Sequence, residues 1–202
     1  MATNNRRTNP ISRPKFHHTT FATLKIHEMV AFYKQIAGLE PVYYTDKGAW
    51  LTNDEANHRI ALLALPGLKE PADKGHTVGL HHTAFEYADF DQWLDNYTRL
   101  REIGIVPFLN LDHGMTISMY YQDPEGNGVE IQVDAFGDWS KSKEWMWASE
   151  EFDNNPIGKH FDPEQLVAAR DQGLDAQEIH RRAREGLYEP AVIPEVYLPE
   201  LW

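Results

Sequence analysis

The sequence predicts an α+β fold built from two βαβββ modules and followed by a tail of short helices and extended chain. Three observations predict it. A six-residue segment occurs twice, as FHHTTF at residues 16–21 and as LHHTAF at residues 80–85. An amphipathic helix pattern follows each copy, and strand-like runs follow each helix. Internal self-similarity of this kind indicates a duplicated structural unit.

Each predicted element has its own pattern. The repeated segments are short and bounded by polar or turn residues, which is typical of strands. In each helix, apolar residues recur at steps of three and four. Gly38 and Gly104 stand where a helix C-cap belongs. The apolar helix positions are Ile26, Met29, Val30, Tyr33 and Ile36, then Phe90, Trp93, Leu94, Tyr97 and Leu100. The later strands are predicted at residues 40–45, 49–52, 58–65, 106–109, 116–122 and 128–133.

We expect one domain over residues 15–134, with modules at 15–66 and 79–134 joined by a linker rich in Pro, Gly and Lys. Residues 1–14 are polar and basic, which predicts a flexible arm. They lack the apolar middle of a secretory signal, so a cytoplasmic protein is expected.

Residues 135–202 are expected to form a tail that packs on the domain or on a neighbouring subunit, and its length favours a homo-oligomer. Two short helices are predicted in this tail. One begins at Asp162–Pro163, and the other begins at Asp175, where Glu178 completes a capping box.

The composition excludes several functions. The 202 residues contain no cysteine, which excludes disulfides, thiolate zinc sites and cysteine nucleophiles. The formal net charge of -12 disfavours a nucleic-acid partner, because an acidic surface repels phosphates. No apolar run approaches the ~20 residues that span a bilayer, so no membrane partner is expected. The ten histidines point instead towards metal binding or proton transfer.

Three residues form a candidate metal site. His18 and His82 hold the same position in the two repeats. Side chains on a strand alternate between its faces, so only one histidine of each His-His pair should point to a given face. Glu130 stands in mid-strand, where a buried carboxylate is costly unless it is paired or bound to metal. A single histidine is more often structural, but two matched histidines with one carboxylate form the facial triad of non-haem iron(II) oxygenases.

The two HHTxF segments and the run YYQDPEGNGVEIQ at residues 120–132 resemble the vicinal oxygen chelate superfamily. Within it they are similar to the one-domain type I extradiol ring-cleaving dioxygenases of the catechol and 2,3-dihydroxybiphenyl class. The resemblance covers about residues 16–134, and NPIG at 155–158 and FDP at 161–163 extend it.

The resemblance implies a partly open barrel, Fe(II) as cofactor (Mn(II) less favoured), and an aromatic diol and O2 as substrates. The expected substrate is a catechol, biphenyl-2,3-diol or an alkylcatechol, and the expected product is a ring-opened muconic semialdehyde.

The resemblance also implies three residues that handle protons. His58, which opens HRIAL at residues 58–62, would be the acid-base residue that accepts a proton from a catechol hydroxyl. Tyr120, ten residues before Glu130, would hydrogen-bond a substrate oxygen, and His113 would donate to the bound oxygen or to Tyr120. The structural alternatives are a solvent-facing histidine at 58 and a turn histidine at 113, and Tyr121, which points the other way on the strand, is expected in the core.

Two other functions remain open. An isomerase or lyase of the glyoxalase type generally takes a carboxylate from each repeat, whereas only one candidate carboxylate is found here. A metal-free small-molecule binding protein of the same fold would not need two matched histidines and an in-strand glutamate. Five aromatic residues after the second repeat either line a pocket or belong to the core or an interface: Trp139, Trp145, Trp147, Phe152 and Phe161.

Overall fold

The computed structural model describes residues 12–70, 74 and 78–194. The first module contains β1 (Thr19–Ala22), α1 (Ile26–Ala37), β2 (Glu40–Thr45), β3 (Gly48–Thr52) and β4 (Ile60–Leu63). The second contains β5 (His82–Tyr87), α2 (Phe90–Glu102), β6 (Leu109–Asp112), β7 (Thr116–Gln122) and β8 (Gly128–Asp134). The predicted order of strand, helix and three strands is therefore found twice.

The strands form two open mixed sheets. Their orders are β1-β4-β3-β2 in the first module and β5-β8-β7-β6-β9 in the second. In each module the first strand pairs in parallel with the last, and the other pairs are antiparallel. The predicted α+β fold of two βαβββ modules is confirmed.

The apolar faces of α1 and α2 lie in one core shared by both modules. The ring of Tyr33 on α1 lies 6.5 Å from that of Phe85 on β5, across the boundary between the modules. On α2, the indole of Trp93 is fully buried and donates to the carbonyl of Ile131 at 2.9 Å. Helix α1 ends at Gly38, whose φ of 64° suits a residue without a side chain.

Polar contacts lock the two modules together at the turn between β7 and β8. The Glu125 carboxylate accepts hydrogen bonds from the Thr23 hydroxyl at 2.8 Å and from the Leu24 amide at 2.7 Å. The Tyr33 hydroxyl donates to Asp123 at 3.2 Å. The start of α1 is thereby tied to the turn that leads into β8.

The tail contains α3 (Trp139–Ala148), α4 (Glu150–Asn154), β9 (Lys159–His160), α5 (Pro163–Asp171) and α6 (Ala176–Arg184). The predicted N-caps of α5 and α6 are present, since Asp162 and Asp175 accept from the amides of Glu164 and Glu178. The predicted capping box of α6 is not completed, because the Glu178 carboxylate accepts from Arg181 and Arg182 instead. Sequence patterns missed α3, α4 and β9. Strand β9 extends the second sheet by pairing with β6.

Some predicted boundaries shift in the structure. Strand β4 begins at Ile60 rather than at His58, and β6 lies three residues later than predicted. Most of the expected arm (residues 1–11), part of the linker (71–73 and 75–77) and the end of the tail (195–202) lie outside the described residues. Within the described part of the chain, no helix is both long and apolar enough to cross a membrane.

Candidate metal centre

Glu130 lies on β8, between β5 and β7, with Ala84 and Tyr120 as its neighbours across the sheet. Its side chain is buried, and one carboxylate oxygen is 2.9 Å from His82 Nε2. The other oxygen accepts a hydrogen bond from the Tyr120 hydroxyl at 2.8 Å. Burial acts to raise the pKa of Glu130, but the hydrogen bond from His82 and other donors outweigh it and hold the pKa below its usual value. Glu130 is therefore an ionised, buried carboxylate.

His113 extends this row of polar side chains. Its Nε2 lies 2.7 Å from the Tyr120 hydroxyl oxygen. The Tyr120 hydroxyl has a single hydrogen, which the ionised Glu130 accepts, so His113 Nε2 must be the donor in its contact with Tyr120. Burial lowers the pKa of His113 and raises that of Tyr120. His113, Tyr120, Glu130 and His82 form one continuous row within the second module.

His18 has different neighbours. Its Nδ1 lies 3.0 Å from Nδ1 of His17, and its ring centroid lies 4.3 Å from that of His58. The donor atoms of these three histidines all lie within 4.8 Å of one another. In the described part of the chain, no other set of three or more histidine, aspartate or glutamate side chains is grouped so closely. The structure thus brings His82 together with Glu130, and His18 together with His17 and His58.

The His-His pairs do not show the alternation that the sequence predicted. Strand β1 begins at Thr19 and β5 begins at His82, so at least one histidine of each pair precedes its strand. The two rings of each pair turn towards each other, with Nδ1 atoms 3.0 Å apart at His17 and His18 and 2.8 Å apart at His81 and His82. Strand alternation does not constrain side chains outside the strand.

The donor atoms of His82 and Glu130 fit a shared metal ion. Two adjacent ligands of an octahedral ion, each bound at roughly 2.1 Å, are about 3 Å apart. The 2.9 Å between His82 Nε2 and Glu130 Oε2 matches this spacing. Imidazole and carboxylate are also the donors that an iron(II) triad uses.

The register of the sheets shows what replaces Glu130 in the first module. Thr20 pairs with Ala61, and Ala84 pairs with Glu130. Because Thr20 and Ala84 are equivalent in the repeat, Ala61 occupies the position of Glu130. The first module has no carboxylate there, which argues against a site with one carboxylate from each repeat.

A buried ionic cluster lies next to His113, and the sequence did not predict it. Asp112 is fully buried, and its Oδ1 lies 3.2 Å from His180 Nε2 and 3.6 Å from Arg184 Nη1. The guanidinium of Arg184 is 5.0 Å from the centre of the Trp145 ring. The His180 side chain is only 17% exposed, so it belongs to this cluster rather than to the solvent-facing surface. His180 and Arg184 are four residues apart on α6, and this spacing on one helix face was the available signal.

The five tail aromatics do not form a single group. Phe161 is buried in the core, with its ring 6.1 Å from that of Trp93. Trp145 packs against Phe152, with their ring centroids 5.8 Å apart. Trp147 is 91% exposed, and Trp139 is exposed as well.

Residues 15–131 match the family model of the Glyoxalase/Bleomycin resistance protein/Dioxygenase superfamily, and the chain belongs to this superfamily. It is 37% identical to biphenyl-2,3-diol 1,2-dioxygenase 3 of Rhodococcus globerulus over 170 residues. This matched region covers 84% of this chain and 89% of that protein. Biphenyl-2,3-diol 1,2-dioxygenase 2 of the same organism is 36% identical over 84% of this chain and 88% of its own length.

A third relative, the catechol-2,3-dioxygenase of Bacillus subtilis strain 168, is 29% identical over 131 residues, which are 63% of this chain and 45% of that protein. The resemblance to extradiol dioxygenases and the predicted enzyme class, a ring-cleaving dioxygenase, are confirmed.

Proposed function

We propose that the protein is an iron(II)-dependent extradiol dioxygenase, which uses O2 to open a catechol-type ring beside its hydroxyl pair and gives a muconic semialdehyde-type product. The observation that carries this proposal is the row from His113 through Tyr120 and Glu130 to His82, which places an ionised carboxylate beside an imidazole nitrogen. Two relatives are named for biphenyl-2,3-diol, which supports this diol as the first proposed substrate, with alkylcatechols as the alternative.

In this proposal His18, His82 and Glu130 hold the iron. Bound by these residues, iron(II) would supply open coordination positions for the diol and O2 and a path for electron density between the two. Two neutral imidazoles and one carboxylate bring a single negative charge to a divalent ion, so a singly deprotonated diol would bring the site to neutrality. His18 is exposed, and its imidazole must turn away from His17 to join the other two ligands.

His58 accepts the proton that the diol releases on binding. Its ring lies 4.3 Å from that of His18, so the base stands beside a proposed ligand. Burial, together with the nearby charges of His18 and His17, lowers the pKa of His58. The ring is therefore mostly neutral at pH 7 and free to accept a proton. His113 fixes the Tyr120 hydroxyl by donating to it, and Tyr120 in turn orients a substrate oxygen.

The activity is tested by loading the purified protein with Fe(II) under argon and then adding air-saturated buffer and biphenyl-2,3-diol. We expect one O2 consumed per diol, measured with an oxygen electrode, and a conjugated ring-opened product identified by its mass. Apoprotein should give neither. Diol binding without O2 uptake would favour a binding protein, and isomerase or lyase turnover under argon would favour the glyoxalase type.

The ligand set is tested by replacing His18, His82 and Glu130 singly with alanine. Each change should lower bound iron from about one ion per chain to near background, because removing one of three protein ligands leaves an incomplete triad. His27→Ala is the matched control, since His27 is an exposed histidine bonded to Tyr44 and outside the proposed site. A variant that keeps full iron, measured by elemental analysis, would remove its residue from the ligand set.

A further inference from the structure

We propose that His17, His18 and His58 form a second metal site, which takes a zinc-class divalent cation and competes with the iron triad for His18. The donor atoms of the three imidazoles all lie within 4.8 Å of one another. The ring of His58 is 4.3 Å from that of His18 and 5.3 Å from that of His17.

The spacing of the imidazoles suits zinc. Tetrahedral zinc binds histidine nitrogen at roughly 2.0–2.1 Å, so two such nitrogens are about 3.3 Å apart. The Nδ1 atoms of His17 and His18 lie 3.0 Å apart, so this pair needs only small side-chain shifts, and the donor atom of His58, within 4.8 Å of the other two, completes the set by a rotation of its side chain. Three histidines also leave the fourth tetrahedral position for water, as in open zinc sites.

The backbone holds the histidines close to one another. The Arg59 guanidinium donates to the carbonyl of His17 at 2.9 Å, and the Thr19 amide donates to the carbonyl of Arg59 at 3.0 Å. Arg59 also makes two hydrogen bonds to Asp54, at 2.9 Å and 2.7 Å, which fix its side chain. The ion pair with Asp54 also offsets the positive charge of Arg59, so Arg59 does little to repel a metal ion.

The donor chemistry selects the metal class. Imidazole nitrogen favours Zn²⁺, Cu²⁺ and Ni²⁺, whereas Mg²⁺ and Ca²⁺ require oxygen ligands. His17 and His18 are exposed and His58 is half-buried, so a hydrated ion reaches the cluster without an opening motion. The net charge of -12 also raises the local concentration of cations.

Zinc at this site inhibits the enzyme, and this consequence rests on the proposed function, although zinc binding itself does not. His18 cannot serve both sites at once. A zinc ion held by His17, His18 and His58 withdraws one proposed iron ligand and also occupies the proposed proton acceptor.

The binding is tested on protein in which the triad is disabled by Glu130→Ala. Titration calorimetry with Zn²⁺ should show about one ion per chain, and Co²⁺ should give the intense visible bands of a tetrahedral site. Adding His17→Ala or His58→Ala should weaken zinc binding at least tenfold, while adding His27→Ala should not. Circular dichroism checks folding, and Glu130→Gln, which keeps the side-chain volume, is a second background.

No zinc binding to either folded Glu130 variant would overturn the second site, as would binding that His17→Ala and His58→Ala leave unchanged.

A second experiment tests inhibition by zinc. In iron-loaded His17→Ala, iron content should match the unsubstituted enzyme, and with each enzyme referred to its own zinc-free rate, the zinc concentration that halves activity should rise at least tenfold. An equal zinc sensitivity in the two enzymes would overturn the competition. Absence of O2 uptake by the unsubstituted enzyme would instead remove the proposed function and leave the binding result standing.

Discussion

Gly158, in the tail, lies against the end of the strand that precedes His113. Its φ is 88°, and a Cβ atom built there would lie 1.9 Å from the Asp112 carbonyl oxygen and 2.8 Å from His113 Cα. Both neighbours are backbone atoms, which cannot step aside as the end of a flexible side chain can. Replacing Gly158 with alanine should therefore push the tail away from His113.

The expected cost has two parts. A left-handed backbone costs a non-glycine residue about 1–2 kcal/mol, and displacing closely packed backbone adds about 1–3 kcal/mol. Gly173 is the matched control, because its φ is 90° but a Cβ atom added to it would meet no described atom within 4 Å. Gly173→Ala should cost only the first part. Since 1 kcal/mol corresponds to roughly 2–4 °C in Tm for a chain of this size, the two variants should be clearly separated.

Urea unfolding followed by tryptophan fluorescence measures both free energies. Gly158→Ala should also lower kcat by roughly 10–100-fold with bound iron retained, since small misplacements near the chemistry are costly and the proposed metal ligands lie outside the tail. Gly173→Ala should keep kcat. Equal unfolding free energies in the two variants would refute the close packing, and an unaltered kcat in Gly158→Ala would show that the tail does not position His113.

Two further variants test single roles. His58→Gln should keep iron and lower kcat by about 10²–10⁴-fold. Because the pKa of His58 is lowered, its neutral form persists to lower pH. In the unsubstituted enzyme, the fall of kcat/KM on the acid side should therefore occur at a pH below the usual pKa of histidine, and in the variant this fall should be absent. If the variant keeps it, another group accepts the proton. Trp147→Ala should change the unfolding free energy by no more than about 0.5 kcal/mol, because Trp147 is 91% exposed. A loss above about 1 kcal/mol in a urea titration would instead place Trp147 in an interface between copies of the chain.

Much of the fold was predictable because its patterns are local. The apolar steps of α1 and α2, the glycine at the end of α1 and the caps Asp162 and Asp175 each depend on residues close in sequence. Strand β9 and helices α3 and α4 were missed because they lack such a local pattern. The two residues of β9 are a strand only because β6 lies beside them. The low amphipathicity of α3 leaves no clear apolar stripe in the sequence.

The sequence by itself determined the duplicated architecture and the chemical types at the candidate site, because repeats, helix periods and an in-strand carboxylate can be read along the chain. Only the tertiary structure decided which side chains meet. It placed Glu130 between His82 and Tyr120, grouped His18 with His17 and His58, and buried Asp112 beneath the tail. The physical reason is that these contacts depend on sheet register, on where each strand begins and on side-chain rotation between segments far apart in the chain, none of which is encoded in local periodicity.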